Sequence, residues 1–337
     1  KGSLPMITDE KESWAAEIAD HVKKQFGIAV NQATPIHKGW LNVKWKMETD
    51  QAPIFVKFYH PDRYKLHLHP ERRTAIERTL ELQHGLNLSG VRCPGVYPHH
   101  DRFIQETSTG LHYAVLEWVE GDPKPAGCLN EAEMFELGQH TGKMHKWLQS
   151  ARPLDKPAWQ PDKEGYLREW RKNWNQAMEA GDEIVLEWQR RSLQLVESLD
   201  FQIFDACPVG WLHWDLWVDN ILVNEQGLAG IVDFDRMAVA YPEIDIARAI
   251  LSGSLSDGKL RTDTVKSFAE GYREHLELPP GTLVRAMILL YLIESIWWLR
   301  TEIRAESELR GLLGRFIEEM HWIEDNWRTL RDQLDMI

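Results

Sequence analysis

The sequence has few cysteines and no hydrophobic run long enough to cross a membrane. Its three cysteines are far apart and form no Cys-x-x-Cys pair, which argues against both a disulfide framework and a zinc site. The most apolar run, residues 284–299, contains Arg285 and Glu294 and is shorter than the roughly 20 apolar residues that a spanning helix needs. We therefore expect a reducing, cytoplasmic location, a buried helix at this run and no membrane partner.

Positive charge is also scarce. The 337 residues include 39 Lys and Arg against 52 Asp and Glu, and the resulting net charge of -13 would repel nucleic acids and anionic membranes. We therefore expect no nucleic-acid partner. No basic-then-apolar signal precedes Met6, so we also expect no secretion and a natural start at Met6.

Hydrophobic residues and tryptophans, by contrast, are plentiful. Hydrophobic residues make up 43% of the chain, enough for the core of one large domain or two ordinary ones, which excludes disordered and fibrous classes. The 16 tryptophans exceed ordinary usage, and we interpret most of them as core and packing residues rather than as ligand contacts.

The first part of the chain is rich in β-prone stretches. They lie at residues 40–45, 54–59, 95–105 and 111–119. Two helices are predicted beside them, an opening one with Thr8 or Asp9 as cap and Gly27 as stop, and a second at 71–84. A turn-rich stretch at residues 120–123 then marks a boundary. We expect an α+β fold of two lobes, with a small β-rich N-terminal lobe at residues 1–119 and a larger, mainly helical C-terminal lobe at residues 120–337.

The second part of the chain has mostly helical periodicity. A capping box formed by Asn130 and Glu133 predicts the start of its first helix, and Gly181 separates two further predicted helices at residues 164–180 and 183–199. A β-rich island at residues 209–234 interrupts the helices.

The most informative residues stand in this island. His213, Asp215 and Asn220 have the spacing His-x-Asp-x₄-Asn, and Asp233 ends an apolar strand beyond a predicted hairpin. Phosphoryl transfer needs one carboxylate that orients and deprotonates the attacking hydroxyl, and an amide oxygen and a second carboxylate that hold magnesium ions on the nucleotide phosphates. Each residue alone is commonplace in turns and cores, but their order and strand context together favour a kinase-like site.

This pattern resembles the catalytic loop and metal-binding motif of the protein-kinase-like superfamily, and more closely those of the aminoglycoside phosphotransferase and choline kinase family. The resemblance implies a two-lobed kinase-like fold that binds ATP and Mg²⁺. It also implies that Asp215 is the catalytic base, that Asn220 and Asp233 are metal ligands, and that His213 and Asp245 brace the catalytic loop.

The sequence departs from protein kinases just after the metal-binding motif. Asp235 stands where those enzymes have the glycine of Asp-Phe-Gly. Only a few residues separate it from the Tyr-Pro-Glu-Ile-Asp stretch that begins at Tyr241, which leaves no room for an activation loop. A protein substrate is therefore disfavoured.

The family resemblance extends to the N-terminal lobe. The strand predicted at residues 54–59 is similar to the Val-Ala-Ile-Lys pattern, so Lys57 is expected to reach the α- and β-phosphates of the nucleotide. Its expected partner on the following helix is Glu77, and Glu81 and Glu71 remain open alternatives.

Two further stretches resemble nucleotide-binding parts of the family. Residues 116–121 are similar to the hinge, where backbone groups of Glu117 and Val119 would meet the adenine edge. Residues 38–43 would form the loop that covers the nucleotide, although they contain a single glycine, Gly39.

The sequence leaves the acceptor open. Aromatic faces beside carboxylates in the larger lobe suit a cationic or amino-sugar ligand. The residues concerned are Trp170, Trp174, Trp188, Trp297 and Trp298, beside Glu169, Glu187, Glu294 and Glu302. The stretch from His213 to Trp217 is also similar to the catalytic loop of fructosamine kinases.

We therefore expect a small-molecule kinase that transfers the γ-phosphoryl group of ATP, or of GTP, to a hydroxyl of an amine- or sugar-containing acceptor. The alternative is a noncatalytic binding or structural protein that resembles the spore-coat relatives of this family. The sequence does not indicate an oligomeric state.

Overall fold

The computed structural model describes residues 4–36, 43–151, 156–306, 310–335 and 337. Its chain divides into two units. The first comprises Lys1–Gly121 and Ala229–Asp235, so it also takes a segment from beyond the boundary expected at residue 119. The second comprises Asp122–Leu228 and Arg236–Ile337. The loop expected to cover the nucleotide lies outside the described residues, except for Val43.

The first unit is built around a five-stranded antiparallel sheet in the order β1-β2-β3-β5-β4. Its strands are β1 (Val30–Pro35), β2 (Val43–Thr49), β3 (Ile54–Tyr59), β4 (Gln105–Glu106) and β5 (His112–Glu117). Its helices are α1 (Leu4–Phe26), α2 (Pro61–Tyr64) and α3 (Pro70–Leu88). The predicted strand at 54–59 and the helix predicted at 71–84 are confirmed, the helix being longer at both ends.

Both faces of the central strands are covered, because alternate residues of β3 pack in opposite directions. Ile54, Val56 and Phe58 are buried against residues of α1, including Ile18. Tyr59 is buried with residues of α3 on the other face. The two lysines discussed below belong to the same face of the sheet as Tyr59.

The strand predicted at residues 95–105 is wrong. The structure has two isolated bridges there, between Val96 and Leu116 and between His99 and Arg102 on either side of a turn, followed by the short β4. His100 and Asp101 both have positive φ, at 49° and 58°. Two successive left-handed residues cannot continue a strand, and the polar sequence of this turn tolerates that conformation.

The second unit is larger and mainly helical. Its helices are α4 (Glu131–Ser150), α5 (Lys163–Ala180), α6 (Glu183–Ser198), α7 (Glu243–Ser254), α8 (Thr262–Arg273), α9 (Thr282–Trp298), α10 (Thr301–Ala305), α11 (Arg310–Asn326) and α12 (Leu330–Leu334). Its short strands are β6 (Asp122–Pro123), β7 (Gly210–Leu212), β8 (Ile221–Asn224), β9 (Gly227–Ile231, which continues into the first unit), β10 (Ala238–Ala240), β11 (Leu255–Ser256) and β12 (Lys259–Leu260). Short 3₁₀ turns occur at Phe201–Phe204, Val218–Asn220 and Phe234–Arg236.

These elements confirm the predicted plan of a small β-rich part and a larger helical part. The capping box is formed, with Asn130 accepting from the Glu133 backbone N–H at 2.9 Å while the Glu133 carboxylate accepts from the Asn130 backbone N–H at 2.9 Å. The apolar run predicted as a buried helix is α9, most of which is buried. Among the described residues, no helix combines the length and apolarity needed to cross a membrane.

Helices α4 and α8 pack with their backbones in direct contact. A Cβ atom added at Gly138 of α4 would lie 2.0 Å from the backbone oxygen of Phe268, and one added at Gly271 of α8 would lie 2.0 Å from that of Phe135. Only glycine therefore allows this approach. The close packing fixes the positions of His145 on α4 and Tyr272 on α8, which meet below the catalytic loop.

We predict that Gly138→Ala lowers the free energy of unfolding by about 3 kcal/mol, because the new methyl group must push two backbones apart. Gly314→Ala is the matched control. Gly314 is an exposed glycine of α11, and a Cβ atom added there would have no neighbour within 4 Å, so alanine should be neutral or stabilise by up to about 1 kcal/mol. Urea denaturation of both variants measures the difference, and equal stabilities would contradict the close packing.

Candidate active site

The catalytic loop of the second unit is held by one buried carboxylate. Asp245, in the first turn of α7, has 0% of its surface exposed. It accepts hydrogen bonds from the backbone N–H groups of His213 at 2.7 Å and Trp214 at 2.8 Å. It also lies 3.0 Å from Nε2 of His145. The Asp245 carboxylate therefore holds the backbone just before Asp215, which is the contact that the expected bracing role requires.

The hydrogen-bond chain continues away from the loop. The Asp245 carboxylate accepts from Nε2 of His145, and Nδ1 of His145 lies 2.9 Å from the Tyr272 hydroxyl. Burial, followed by the nearby carboxylates of Asp245 and Glu243, raises the pKa of Tyr272. The tyrosine therefore keeps its proton and remains a donor.

The motif residues of this unit lie together. The Asp215 backbone N–H donates to Nδ1 of His213 at 3.2 Å, and His213 is completely buried. Nδ2 of Asn220 donates to both the backbone oxygen of Asp215, at 2.9 Å, and its Oδ2, at 3.1 Å. Trp214 has a φ of 66°, which turns the chain sharply before Asp215. The half-buried Asp215 carboxylate is thereby held in one orientation.

The first unit contains two lysine–aspartate pairs of its own. Lys57, on β3 and 4% exposed, forms an ion pair with Asp235, and Lys44, on β2, lies 3.2 Å from Asp233. Lys44 and Lys57 are direct cross-strand partners, so their side chains share one face of the sheet. Asp233 itself has a φ of 62°.

Lys44 was not among the residues expected from the sequence. The available signal was the hairpin between β2 and β3: pairing Met47 with Ile54 and counting outward places Lys44 opposite Lys57. Lysines are common on exposed strand faces, however, and only the pairing with Asp233, far along the chain, distinguishes Lys44 from such a residue.

The structure does not bring Glu77 to Lys57. The Glu77 carboxylate accepts from the backbone N–H groups of Phe103 and Ile104, each at 2.9 Å, and Lys57 pairs with Asp235 instead. The expected Lys57–Glu77 pair is therefore wrong. The physical reason is the turn before Phe103, which leaves two amide donors facing α3, and a carboxylate satisfies both.

The two open alternatives for this partner differ in their contacts. Glu71 lies 3.0 Å from Nδ1 of His69 at the exposed start of α3. Glu81 lies further along α3, on an exposed part of its surface.

The predicted hinge begins where β5 ends. The Glu117 backbone N–H donates to the oxygen of Gly95 at 2.8 Å, and its carboxylate accepts from the Gly95 N–H at 2.8 Å. The half-buried Val119 follows outside the strand, and its N–H donates to no backbone acceptor among the described residues. A main-chain donor and the end of a strand are thus available at the positions predicted to meet adenine.

The aromatic residues considered as acceptor contacts separate into two groups. Trp170 and Trp174 stack with ring centroids 5.3 Å apart, and Trp174 and Trp188 pack against the small core between α5 and α6. Trp298 stacks on Phe316 at 4.3 Å, in a cluster that includes Trp217 of the catalytic loop. The second group is therefore the one connected to Asp215.

We predict that Asp245→Asn lowers the free energy of unfolding by about 2–4 kcal/mol and reduces activity, because the amide leaves one or two buried donors without an acceptor at about 1–3 kcal/mol each. Asp205→Asn, at an exposed carboxylate, is the control and should change neither. Thermal and chemical unfolding measure the stability. A stable Asp245→Asn protein with full activity would show that the buried carboxylate does not hold the loop.

Comparison with known proteins gives consistent matches. A model of the phosphotransferase enzyme family matches residues 32–281. The homoserine kinase of Sinorhizobium medicae (strain WSM419) is 26% identical over 235 residues, which cover 66% of this chain and 68% of that protein. The homoserine kinase of Rhizobium meliloti (strain 1021) is 25% identical over the same shares.

Solved structures resemble nearly the whole chain. The microcompartment-associated aminopropanol kinase superposes with a TM-score of 0.61 at 20% identity, covering 95% of this chain and 99% of that one. Spectinomycin phosphotransferase in complex with ADP and spectinomycin gives 0.59 at 14% identity, covering 95% and 98%. These likenesses confirm the fold class predicted from the sequence.

Proposed function

Because the chain belongs to the phosphotransferase enzyme family, we propose that it transfers the γ-phosphoryl group of ATP to a hydroxyl of a small amine-containing acceptor. Family membership confirms the resemblance first seen in the His213, Asp215 and Asn220 motif. It also confirms the prediction of an ATP-dependent phosphotransferase with an alcohol acceptor. The observation that carries the proposal is the orientation of the Asp215 carboxylate by Asn220 and by the loop that Asp245 braces.

Asp215 acts as the base. The Asp215 carboxylate, which Nδ2 of Asn220 holds at Oδ2, takes the proton of the acceptor hydroxyl. The hydroxyl oxygen then forms a bond to the γ-phosphorus while the bond from phosphorus to the β,γ-bridging oxygen breaks, and ADP leaves. Catalysis of this kind depends on positioning, which the buried contacts of the loop supply.

The first unit binds the nucleotide in this proposal. Lys57 holds the phosphates, and phosphate oxygens replace Asp235 as its anionic partner. The N–H of Val119 and the backbone at Glu117 meet the adenine edge. Glu77 has no part in this arrangement, since its carboxylate serves the turn that precedes Phe103.

Magnesium fits the types of oxygen ligand that the family resemblance assigns to it at Asn220 and Asp233. Mg²⁺ binds through one or two protein oxygens together with phosphates and waters. Asp233 offers a carboxylate, and Oδ1 of Asn220 is the amide oxygen opposite the Nδ2 group that holds Asp215. No group of three or more His, Cys, Asp or Glu among the described residues could hold a metal by itself, which suits an ion that arrives with the nucleotide. When bound, it would neutralise phosphate charge.

The acceptor class is supported by the names of two similar proteins. Homoserine kinase and aminopropanol kinase both refer to small molecules that carry an amine and a hydroxyl. The carboxylates of Asp215 and the half-buried Glu294 both act on the charge of Arg248 and therefore belong to one region of the second unit. Two negative charges in one region suit an ammonium group.

We predict that Asp215→Asn lowers turnover by about 10²–10⁴-fold, the range expected for loss of a general base, while ADP affinity hardly changes. Asp219→Asn is the matched control, since Asp219 is an exposed carboxylate of the same loop. Coupled-enzyme assays give turnover and calorimetry gives ADP affinity. Full turnover by the Asp215 variant would remove it as the base, and a parent protein that phosphorylates no alcohol would favour a noncatalytic role.

We also predict that Lys57→Met weakens ATP binding by at least about tenfold, because a charge-assisted contact to phosphate is worth about 1.5–3 kcal/mol. Methionine keeps the length of the buried side chain, so the sheet should retain its stability. Lys23→Met, at an exposed lysine of α1, is the control. Equal ATP affinity of the two variants would show that Lys57 does not contact the phosphates.

A further inference from the structure

Arg248 is a buried cation with unused donors. It lies three residues after Asp245 on α7 and is 4% exposed. Its Nη2 donates to Glu319 at 2.6 Å, and Glu319 also accepts from Arg315 at 3.2 Å. The Nε and Nη1 groups of Arg248, however, have no acceptor among the described residues. Such groups are rare in folded proteins and call for a specific explanation.

A second unused donor lies beside the first. Trp217, two residues after Asp215, has a buried Nε1 without an acceptor among the described residues. The Arg248 guanidinium lies 5.8 Å from the centre of the Trp217 ring and 5.1 Å from that of Phe316. A charged donor and a neutral donor therefore lie close together without acceptors, and a carboxylate has two oxygens that could satisfy them.

The surrounding charges favour a ligand with both signs of charge. Burial acts to lower the pKa of Arg248, but the carboxylates of Glu319, Glu294 and Asp215 outweigh it, so this pKa is raised and the guanidinium stays charged. Glu294 is half-buried and accepts from Nε1 of Trp298. The cationic Arg248 and the anionic Glu294 thus lie near one another, as the carboxylate and the ammonium group of an amino acid require.

We propose that Arg248 and Trp217 bind a carboxylate of the acceptor, and that the acceptor is a small hydroxylated amino acid. The proposal rests on the proposed function, since it takes Asp215 as the group that receives the hydroxyl proton. It also places both ends of the acceptor at one loop, because Trp217 lies two residues after Asp215.

A purely structural role for Arg248 makes a different prediction. In such a role, the Arg248 guanidinium would stabilise the helices by packing against the rings of Trp217 and Phe316 and by pairing with Glu319. A change at Arg248 would then lower stability and affect the phosphorylation of all acceptors alike. A carboxylate site instead predicts an effect that depends on whether the acceptor has a carboxylate.

The test uses three pairs of acceptors that differ only by a carboxylate: L-homoserine and 3-amino-1-propanol, L-serine and ethanolamine, and L-threonine and 1-amino-2-propanol. KM and kcat are measured for the parent, Arg248→Lys and Trp217→Phe. Arg248→Lys keeps the charge but loses the forked donors, and Trp217→Phe keeps a ring but loses the N–H. Trp147→Phe, at a half-buried tryptophan of α4, is the control.

We expect the parent to favour the amino acid in the pair that it uses best. Arg248→Lys should raise KM for that amino acid by about 10- to 100-fold and leave KM for its carboxylate-free partner unchanged. Trp217→Phe should have a smaller effect in the same direction, and Trp147→Phe none. ADP affinity and thermal unfolding verify that each variant is folded. If Arg248→Lys does not fold, the result for Trp217→Phe alone decides between the two roles.

Two failures can be told apart. Phosphorylation of alcohols with no preference for the carboxylate, or with a preference that neither variant reduces, would overturn the carboxylate site and leave the proposed function standing. Absence of phosphorylation of these six alcohols and of amino sugars, by a parent that binds ADP, would overturn the proposed function and this inference with it.

Discussion

The catalytic loop depends on the burial of one negative charge. A carboxylate without solvent is costly unless it is fully hydrogen-bonded, and Asp245 meets this condition through two backbone N–H groups and an imidazole. Those donors come from segments that are far apart in the chain, so the charge can be satisfied only when α4, α7 and the loop are assembled. The Tyr272 hydroxyl extends the requirement to α8. Glycines at the contact of α4 and α8 let the helices come close enough.

The first unit buries a positive charge instead of a negative one. Lys57 is buried in the sheet and needs an anion, and Asp235 supplies one. Lys44, its cross-strand neighbour, has the same charge, and Asp233 lies 3.2 Å from Lys44 and offsets the repulsion between the two lysines. Two like charges on one face are therefore stabilised by two carboxylates from a segment that enters from far along the chain. The same lysine charge makes this face suited to nucleotide phosphates.

Contacts between residues that are close in the sequence could be predicted, whereas contacts between distant segments could not. His213, Asp215 and Asn220 lie within eight residues, so their spacing already implies that they meet, and the capping box at Asn130 is equally local. Glu77 was assigned to Lys57 by resemblance, but its carboxylate serves amides in a turn that its own helix pattern does not reveal.

Long-range contacts explain the other residues that were not found from the sequence. Lys44 becomes significant through strand register and through Asp233, which is 189 positions away. The prediction of a strand at residues 95–105 was wrong because a pattern of β-prone side chains does not show that two consecutive residues have positive φ. Arg248 stands out only because the packed structure leaves its donors without acceptors.

In the proposed function, helix α7 connects the base to the recognition of the acceptor. Asp245 and Arg248 are three residues apart and therefore lie on one face of the helix, which meets the loop of Asp215 and Trp217. A shift of α7 would move the brace of the base and the guanidinium together, so its effect would fall on kcat and KM at once. Glu319, on α11, accepts a hydrogen bond from the guanidinium. In the proposed arrangement, a change at Glu319 would therefore act on recognition of the acceptor through Arg248, and the place of Arg248 on α7 would carry part of that effect to the brace of the base.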